Sequence, residues 1–235
     1  MTDPTVVLIH GAFADASSWR GVFDALRSDG RKVFAPANPL RGLAGDAEYV
    51  SAVIRAIDGP VLLVGHSYGG AVITVAGVAE KVVGLVYVAG FVPDEGESLG
   101  TLQADFPAPP AATHILPAEI PGGVEVTLDP AALAEVFAAD VDPADAAFMA
   151  IAQRPLAATA FEEPAAAAAW RTKPSWAVLP TQDAAIHPDV HRFAYKRAGA
   201  MTTEVPGASH VVMVSHPELV AGVIAAALGA VPMEA

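Results

Sequence analysis

The stretch Val61-Leu62-Leu63-Val64-Gly65-His66-Ser67-Tyr68-Gly69-Gly70 decides the fold of this 235-residue chain. Val61–Val64 is a continuous apolar run of strand length, the pattern of a strand covered on both faces. Gly65–Gly70 reads as a tight turn and Tyr68–Ala79 as the helix that leaves it. Gly-x-Ser-x-Gly between a strand and a helix is the spacing of a nucleophile elbow. The turn is sharp, so Gly65 and Gly69, two before and two after Ser67, approach backbone too closely for a side chain. It lifts the Ser67 hydroxyl clear of the sheet at a helix N-terminus, where the helix dipole favours developing negative charge.

Short apolar runs alternate with longer helical patterns on both sides of this stretch. Val6–Ile9, Lys32–Ala35, Val82–Ala89, Ser175–Leu179 and Thr202–Val205 read as further strands. Ser18–Ser28, Leu43–Ile57, Val190–Ala198 and Pro217–Leu228 read as helices, the first stopped by Gly30. Apolar strands separated by helices predict a doubly wound α/β fold, with a mainly parallel sheet of about six strands and right-handed crossovers. Residues 1–90 and 171–235 are expected to form this core. Residues 91–170 differ in composition. Phe106–Gly123 is rich in proline and turn residues, Asp129-Pro130 and Asp142-Pro143 read as helix starts, and Ala165–Ala169 reads as helical. The expectation is an inserted, mostly helical cap over the carboxyl ends of the strands, the edge where open α/β sheets bind ligands.

Hydrophobic residues make up 53% of the chain and charged residues 17%, too apolar for disorder and sufficient for one large core. The longest apolar stretches, Val82–Val92 and Leu219–Pro232, are shorter than the roughly 20 residues of a membrane-spanning helix. Met1-Thr2-Asp3-Pro4 has no basic character and Arg20 is the first basic residue, so a soluble, cytoplasmic protein is expected. The net charge of −13 argues against a nucleic-acid partner. The absence of cysteine removes disulfides, thiolate metal sites and a cysteine nucleophile. No metal or other cofactor is expected. His, Asp and Glu show no ligand spacing on one helix, and Gly65–Gly70 lacks the lysine of a phosphate-binding loop. The chain is read as a monomer or homodimer with a small-molecule substrate.

A serine hydroxyl needs a base. His210, in Gly207-Ala208-Ser209-His210, lies between the last strand and the last helix, 143 residues after Ser67. It keeps the order Ser…Asp…His of this motif class. His66 is read as packing into the sheet and His10 as structural. His114, His187, His191 and His216 are read as cap, surface or helix-cap residues. The base needs an acid to hold its tautomer. Asp183, after the fifth strand, is preferred. Asp94, in Phe91-Val92-Pro93-Asp94 after the fourth, is the alternative, competing with a role in the turn that opens the insertion. The expected oxyanion donors are the backbone N–H groups of Tyr68, at the helix start, and Ala12, in the loop His10-Gly11-Ala12-Phe13. Phe106, Leu116, Phe137, Phe148, Met149 and Phe161 are available in the insertion for an apolar pocket.

With these residues placed, the chain resembles the α/β-hydrolase superfamily. Phe91-Val92-Pro93-Asp94, Thr181-Gln182-Asp183 and Gly207-Ala208-Ser209-His210 are similar to its small-lid branch, which holds plant methylesterases of the salicylate-binding type, hydroxynitrile lyases and bacterial serine esterases. The resemblance implies Ser67 as nucleophile, His210 as base, Asp183 as acid, and Ala12 and Tyr68 as oxyanion donors. It implies a serine esterase that cleaves a small, apolar ester through an acyl-enzyme. A lyase or cofactor-free perhydrolase with the same triad, or a ligand receptor on this scaffold, are the alternatives. Val211 stands where the plant lyases carry the lysine that handles cyanide, and Phe13 where the plant enzymes often carry cysteine. Ser67 stands where epoxide hydrolases and haloalkane dehalogenases carry aspartate.

Overall fold

The computed structural model describes residues 3–231. Met1, Thr2 and Pro232, which entered the readings of a leader and of an apolar stretch, lie outside the described residues. The first half of the chain runs β1 (Thr5–Ile9), α1 (Arg20–Ser28), β2 (Val33–Phe34), α2 (Leu43–Ala56), β3 (Val61–His66), α3 (Tyr68–Ala76) and β4 (Val82–Val88). Then follow α4 (Leu99–Gln103), β5 (Ile115–Ile120), β6 (Gly123–Leu128), α5 (Leu133–Val136), α6 (Pro143–Ile151) and β7 (Leu156–Ala157). The chain closes with β8 (Ser175–Pro180), α7 (Pro188–Arg197), β9 (Met201–Val205), α8 (Val212–Ser215) and α9 (Pro217–Ala230).

Six strands form one sheet in the order β2-β1-β3-β4-β8-β9, and every neighbouring pair is parallel. The expected doubly wound α/β fold is therefore what forms. α1 packs with α9, and α2 packs with α3. Their strands read as unbroken apolar runs because both faces are covered: every residue of β1 and β3 is buried. Strand order reverses between β1 and β3, since the chain moves outward to β2 and then back past β1. That reversal opens a crevice at the carboxyl ends of β1 and β3, where His10–Ala12 and Ser67 follow their strands.

Local chemistry accounts for most boundaries. A 3-10 turn at Ala16–Trp19 leads into α1, and the Asp15 side chain accepts from the Ser17 N–H at its start. Gly30, at φ +74°, ends α1 where a left-handed residue is required. α3 stops at Ala76, three residues before the predicted end. β2 is shorter than predicted, two residues on the sheet edge, with Phe34 exposed.

Between β4 and β8 the chain holds short helices and, in addition, an antiparallel sheet in the order β5-β6-β7 that the sequence reading did not contain. Its signal is legible in retrospect. Val124, Val126 and Leu128 alternate with Glu125 and Thr127, and Pro121-Gly122 makes the hairpin turn with Gly122 at φ +100°. Pro117 masked the partner strand, yet β5 is an edge, where a missing N–H is tolerated. Asp142 caps α6 as read, accepting from the Ala144 N–H at 2.9 Å. Asp129 caps only a turn, and α5 begins at Leu133. The alanine run is not the helix predicted from propensity. Ala165 exchanges backbone hydrogen bonds with Gly96 and Glu97, and those tertiary bonds keep the run out of a helix until a single 3-10 turn at Ala169–Arg171. No helix among the described residues is long and apolar enough to cross a membrane.

Candidate active site

Ser67 follows directly on β3, at φ 52° and ψ −123°, a conformation a non-glycine residue adopts only under constraint. Its carbonyl accepts from the Gly70 and Phe91 N–H groups and its own N–H donates to Val88 O, so the turn is tied down on three sides. A Cβ on Gly65 would lie 2.5 Å from the Gly69 carbonyl oxygen, and one on Gly69 the same distance from the Ile9 carbonyl oxygen. The two glycines of the motif are thus required by backbone contact, as the spacing implied.

His210 is buried in the segment between β9 and α8, and Asp183 is buried in the loop after β8. His210 Nδ1 donates to Asp183 Oδ2 at 2.7 Å. His210 Nε2 is buried and has no hydrogen-bond partner among the described residues. Ser67 and His210 line the same cavity. Their side chains are not hydrogen-bonded to each other, and bonds of this kind often tighten only with substrate present. Asp94, the alternative acid, is elsewhere: its carboxylate pairs with Arg171 at 2.7 Å.

The Asp183 carboxylate has four donors for its four lone-pair sites. Oδ1 accepts from the Ala185 and Ile186 N–H groups at 2.8 and 2.9 Å. Oδ2 accepts from His210 Nδ1 and, at 3.0 Å, from His191 Nε2. Burial alone would push this carboxyl up. The charge of His210 and the hydrogen bonds from both histidines outweigh it and hold Asp183 well below the usual carboxylate range. His191 was read as a cap or surface residue. It is instead buried against Asp183, because it lies on the inward face of α7 with Val190, Ala194 and Tyr195. The clue in the sequence was that apolar stripe at helical spacing, with one polar residue inside it.

The other two buried histidines have structural partners. His10 Nε2 accepts from the Asn38 N–H at 2.9 Å, which leaves Nδ1 to donate to Gly11 O. His66 Nε2 donates to the His210 carbonyl at 3.1 Å, and its ring lies against the His210 ring with centroids 4.7 Å apart. Burial holds His66 well below the usual histidine range, the nearby His210 adding to it against the bond to the His210 carbonyl. Burial also lowers His10, against its bond to Gly11. The sign of the consequence is fixed. The unfolded chain takes up protons near its ordinary histidine value of about 6.5, while the folded chain refuses them. Stability is full above that pH and falls below it, by up to about 1.4 kcal/mol per pH unit for His66, with His10 adding in the same direction. Urea unfolding at about pH 7.5 and about pH 5.5 measures it, and a free energy that is no lower at the acid pH contradicts the assignment.

Ala12 and Tyr68 both line the cavity, and neither backbone N–H has a partner among the described residues. The next N–H, of Phe13, is used: it donates to Arg154 O in the insertion. The Tyr68 hydroxyl is also used, donating to buried Asp46 at 2.7 Å. The cavity has a volume of about 590 Å³, and its lining holds no Asp, Glu, Lys or Arg. Phe106, Phe137 and Phe161 of the insertion line it, as expected. Leu116, Phe148 and Met149 do not. Phe148 and Met149 border a separate cleft with Phe13, and Leu116 is exposed on β5. Among the described residues no group of three or more His, Asp or Glu side chains is placed to hold a metal ion.

A family model described as the alpha/beta hydrolase family matches residues 6–223. This chain belongs to that family. A carbendazim hydrolyzing esterase of Nocardioides sp. (strain SG-4G) is 38% identical over 110 residues, 41% of this chain and 46% of that one. The match therefore spans less than half the length of that relative. Among solved structures, a pyrethroid hydrolase of Sphingobium faniae JZ-2 superposes with a TM-score of 0.81 at 23% identity, over 97% of this chain and 98% of the other. Tomato methylketone synthase I, complexed with 2-tridecanone, superposes with a TM-score of 0.83 at 17% identity, over 99% and 100%. At such identities these two matches establish the shared fold.

Proposed function

We propose that this alpha/beta hydrolase is a serine esterase acting on an uncharged, apolar ester. The observation that carries the reading is the buried Asp183–His210 pair opening onto the same uncharged cavity as Ser67 at its strained turn. In this reading Ser67 Oγ attacks the ester carbonyl carbon while His210 Nε2 takes its proton. Asp183 holds the His210 tautomer with the proton on Nδ1 and stabilises the imidazolium. The free N–H groups of Ala12 and Tyr68 receive the oxyanion. His210 then protonates the departing alcohol and activates the water that clears the acyl-enzyme. The partial match to the carbendazim hydrolyzing esterase supports ester chemistry. The lining supports a neutral substrate, since a charged ligand in a cavity without Asp, Glu, Lys or Arg loses hydration with no permanently charged partner in return.

Residues 91–170 act in this proposal as a cap over the core formed by 1–90 and 171–235, a division supported by the lining residues that each contributes. A cytoplasmic location and a monomeric or homodimeric state belong to the same proposal, to be checked by cell fractionation and light scattering. The decisive experiment combines a fluorophosphonate with a panel of p-nitrophenyl esters. One label per chain, on Ser67, and parallel loss of ester turnover are expected. Labelling without any turnover favours a receptor, and turnover that survives labelling overturns the assignment.

A further inference from the structure

We infer that His191 is a positioning residue for the acid, holding Asp183 Oδ2 in place for His210. The inference rests on the esterase reading and adds to it a fourth side chain. Oδ2 receives two N–H donors, His210 Nδ1 at 2.7 Å and His191 Nε2 at 3.0 Å. A carboxylate only accepts, so His191 carries its proton on Nε2. With the Ala185 and Ile186 N–H groups on Oδ1, the two imidazoles complete the set that fixes the carboxylate's rotation. Without His191, the oxygen that serves the base is held by the base alone, inside a site closed to water.

His191 is itself held. Its ring stacks on Tyr195 one turn along α7, with centroids 5.3 Å apart and 24° between planes. The Tyr195 hydroxyl donates to Gly90 O and accepts from Gly90 N–H. The neighbouring Phe91 N–H donates to Ser67 O. One run of contacts therefore joins the acid to the nucleophile's turn through α7, and both sit on the same rigid frame.

The test uses the full-length protein with three variants. His191→Phe keeps an aromatic ring for Tyr195 and removes the donor; His191→Leu removes both. His191→Gln places an amide N–H close to the position of Nε2. The donor-less variants are expected to lose about tenfold to a hundredfold in kcat at unchanged KM, with His191→Gln restoring most of it. A second readout does not depend on activity. The far-downfield proton resonance of the His210–Asp183 bond, identified by its loss in His210→Ala, should broaden and move upfield in His191→Phe and return in His191→Gln. A role in packing alone lowers the melting temperature and leaves the resonance of the folded protein in place. A folded His191→Phe with wild-type kcat and an unmoved resonance overturns the inference, as does a folded His191→Gln as impaired as the donor-less variants. If Ser67→Ala keeps wild-type ester turnover, the esterase reading fails, while the resonance still decides the role of His191.

Discussion

Replacing Ser67 by alanine is expected to cut kcat for ester hydrolysis by roughly 10⁴- to 10⁶-fold, the range for removing a triad nucleophile. The size follows from how the parts depend on one another. Without the hydroxyl, His210 has no proton to take and Asp183 no imidazolium to stabilise, so three residues lose their function with one atom. On the proposed mechanism, what survives is the contribution of the cavity and of the Ala12 and Tyr68 N–H groups, which line it and would still bind the ester and polarise its carbonyl. The variant isolates chemistry from folding. The Ser67 side chain makes no hydrogen bond among the described residues, and the constraint on its backbone comes from Gly65, Gly69 and the bonds to Val88, Gly70 and Phe91. Melting temperature should therefore stay near that of the parent. Steady-state kinetics on the best ester of the panel measures the loss, and retained turnover would remove Ser67 from the mechanism.

Asp183→Asn is expected to lower kcat by roughly 10⁴-fold, the size seen when a triad acid becomes an amide. Here the four donors make the outcome stricter than a lost charge. An amide presents one oxygen and one NH₂ where the carboxylate presented two acceptors. If the NH₂ faces Ala185 and Ile186, it meets two backbone N–H groups that cannot change. If it faces the histidines, His210 must turn to the tautomer with its proton on Nε2, which cannot take the proton of Ser67. The second arrangement is the less costly, so the protein folds and the base is switched off. Asp94→Asn breaks a partly exposed pair with Arg171 and should leave kcat near that of the parent. Both variants belong in one assay. The reverse ranking would move the acid to the end of β4.

Features set by neighbours in sequence are legible in the chain itself. The elbow is such a case at Gly65, whose side chain would strike the Gly69 carbonyl four residues on, whereas Gly69 is kept bare by Ile9 of the distant strand β1. The apolar runs of β1, β3 and β4 are another, since a strand covered on both faces has to be apolar at every position. Asp142-Pro143 is a third, its cap bond closing over two residues.

Tertiary structure decided whatever depends on partners far along the chain. Asp183 and Asp94 both end strands of one sheet, and sequence alone ranked them without separating them. Their strands, β8 and β4, are neighbours, but Asp94 is held by Arg171 across the opening of the insertion while Asp183 turns inward to His210. A polar residue on a helix usually faces solvent, and only the docking of α7 against the loop after β8 makes His191 a second donor to Asp183. The alanine run lost its helix to backbone bonds with Gly96 and Glu97, about seventy residues upstream. Propensity and spacing act over a few residues and are written in the sequence. Hydrogen bonds and burial between distant segments override them, and those exist only once the sheet has formed.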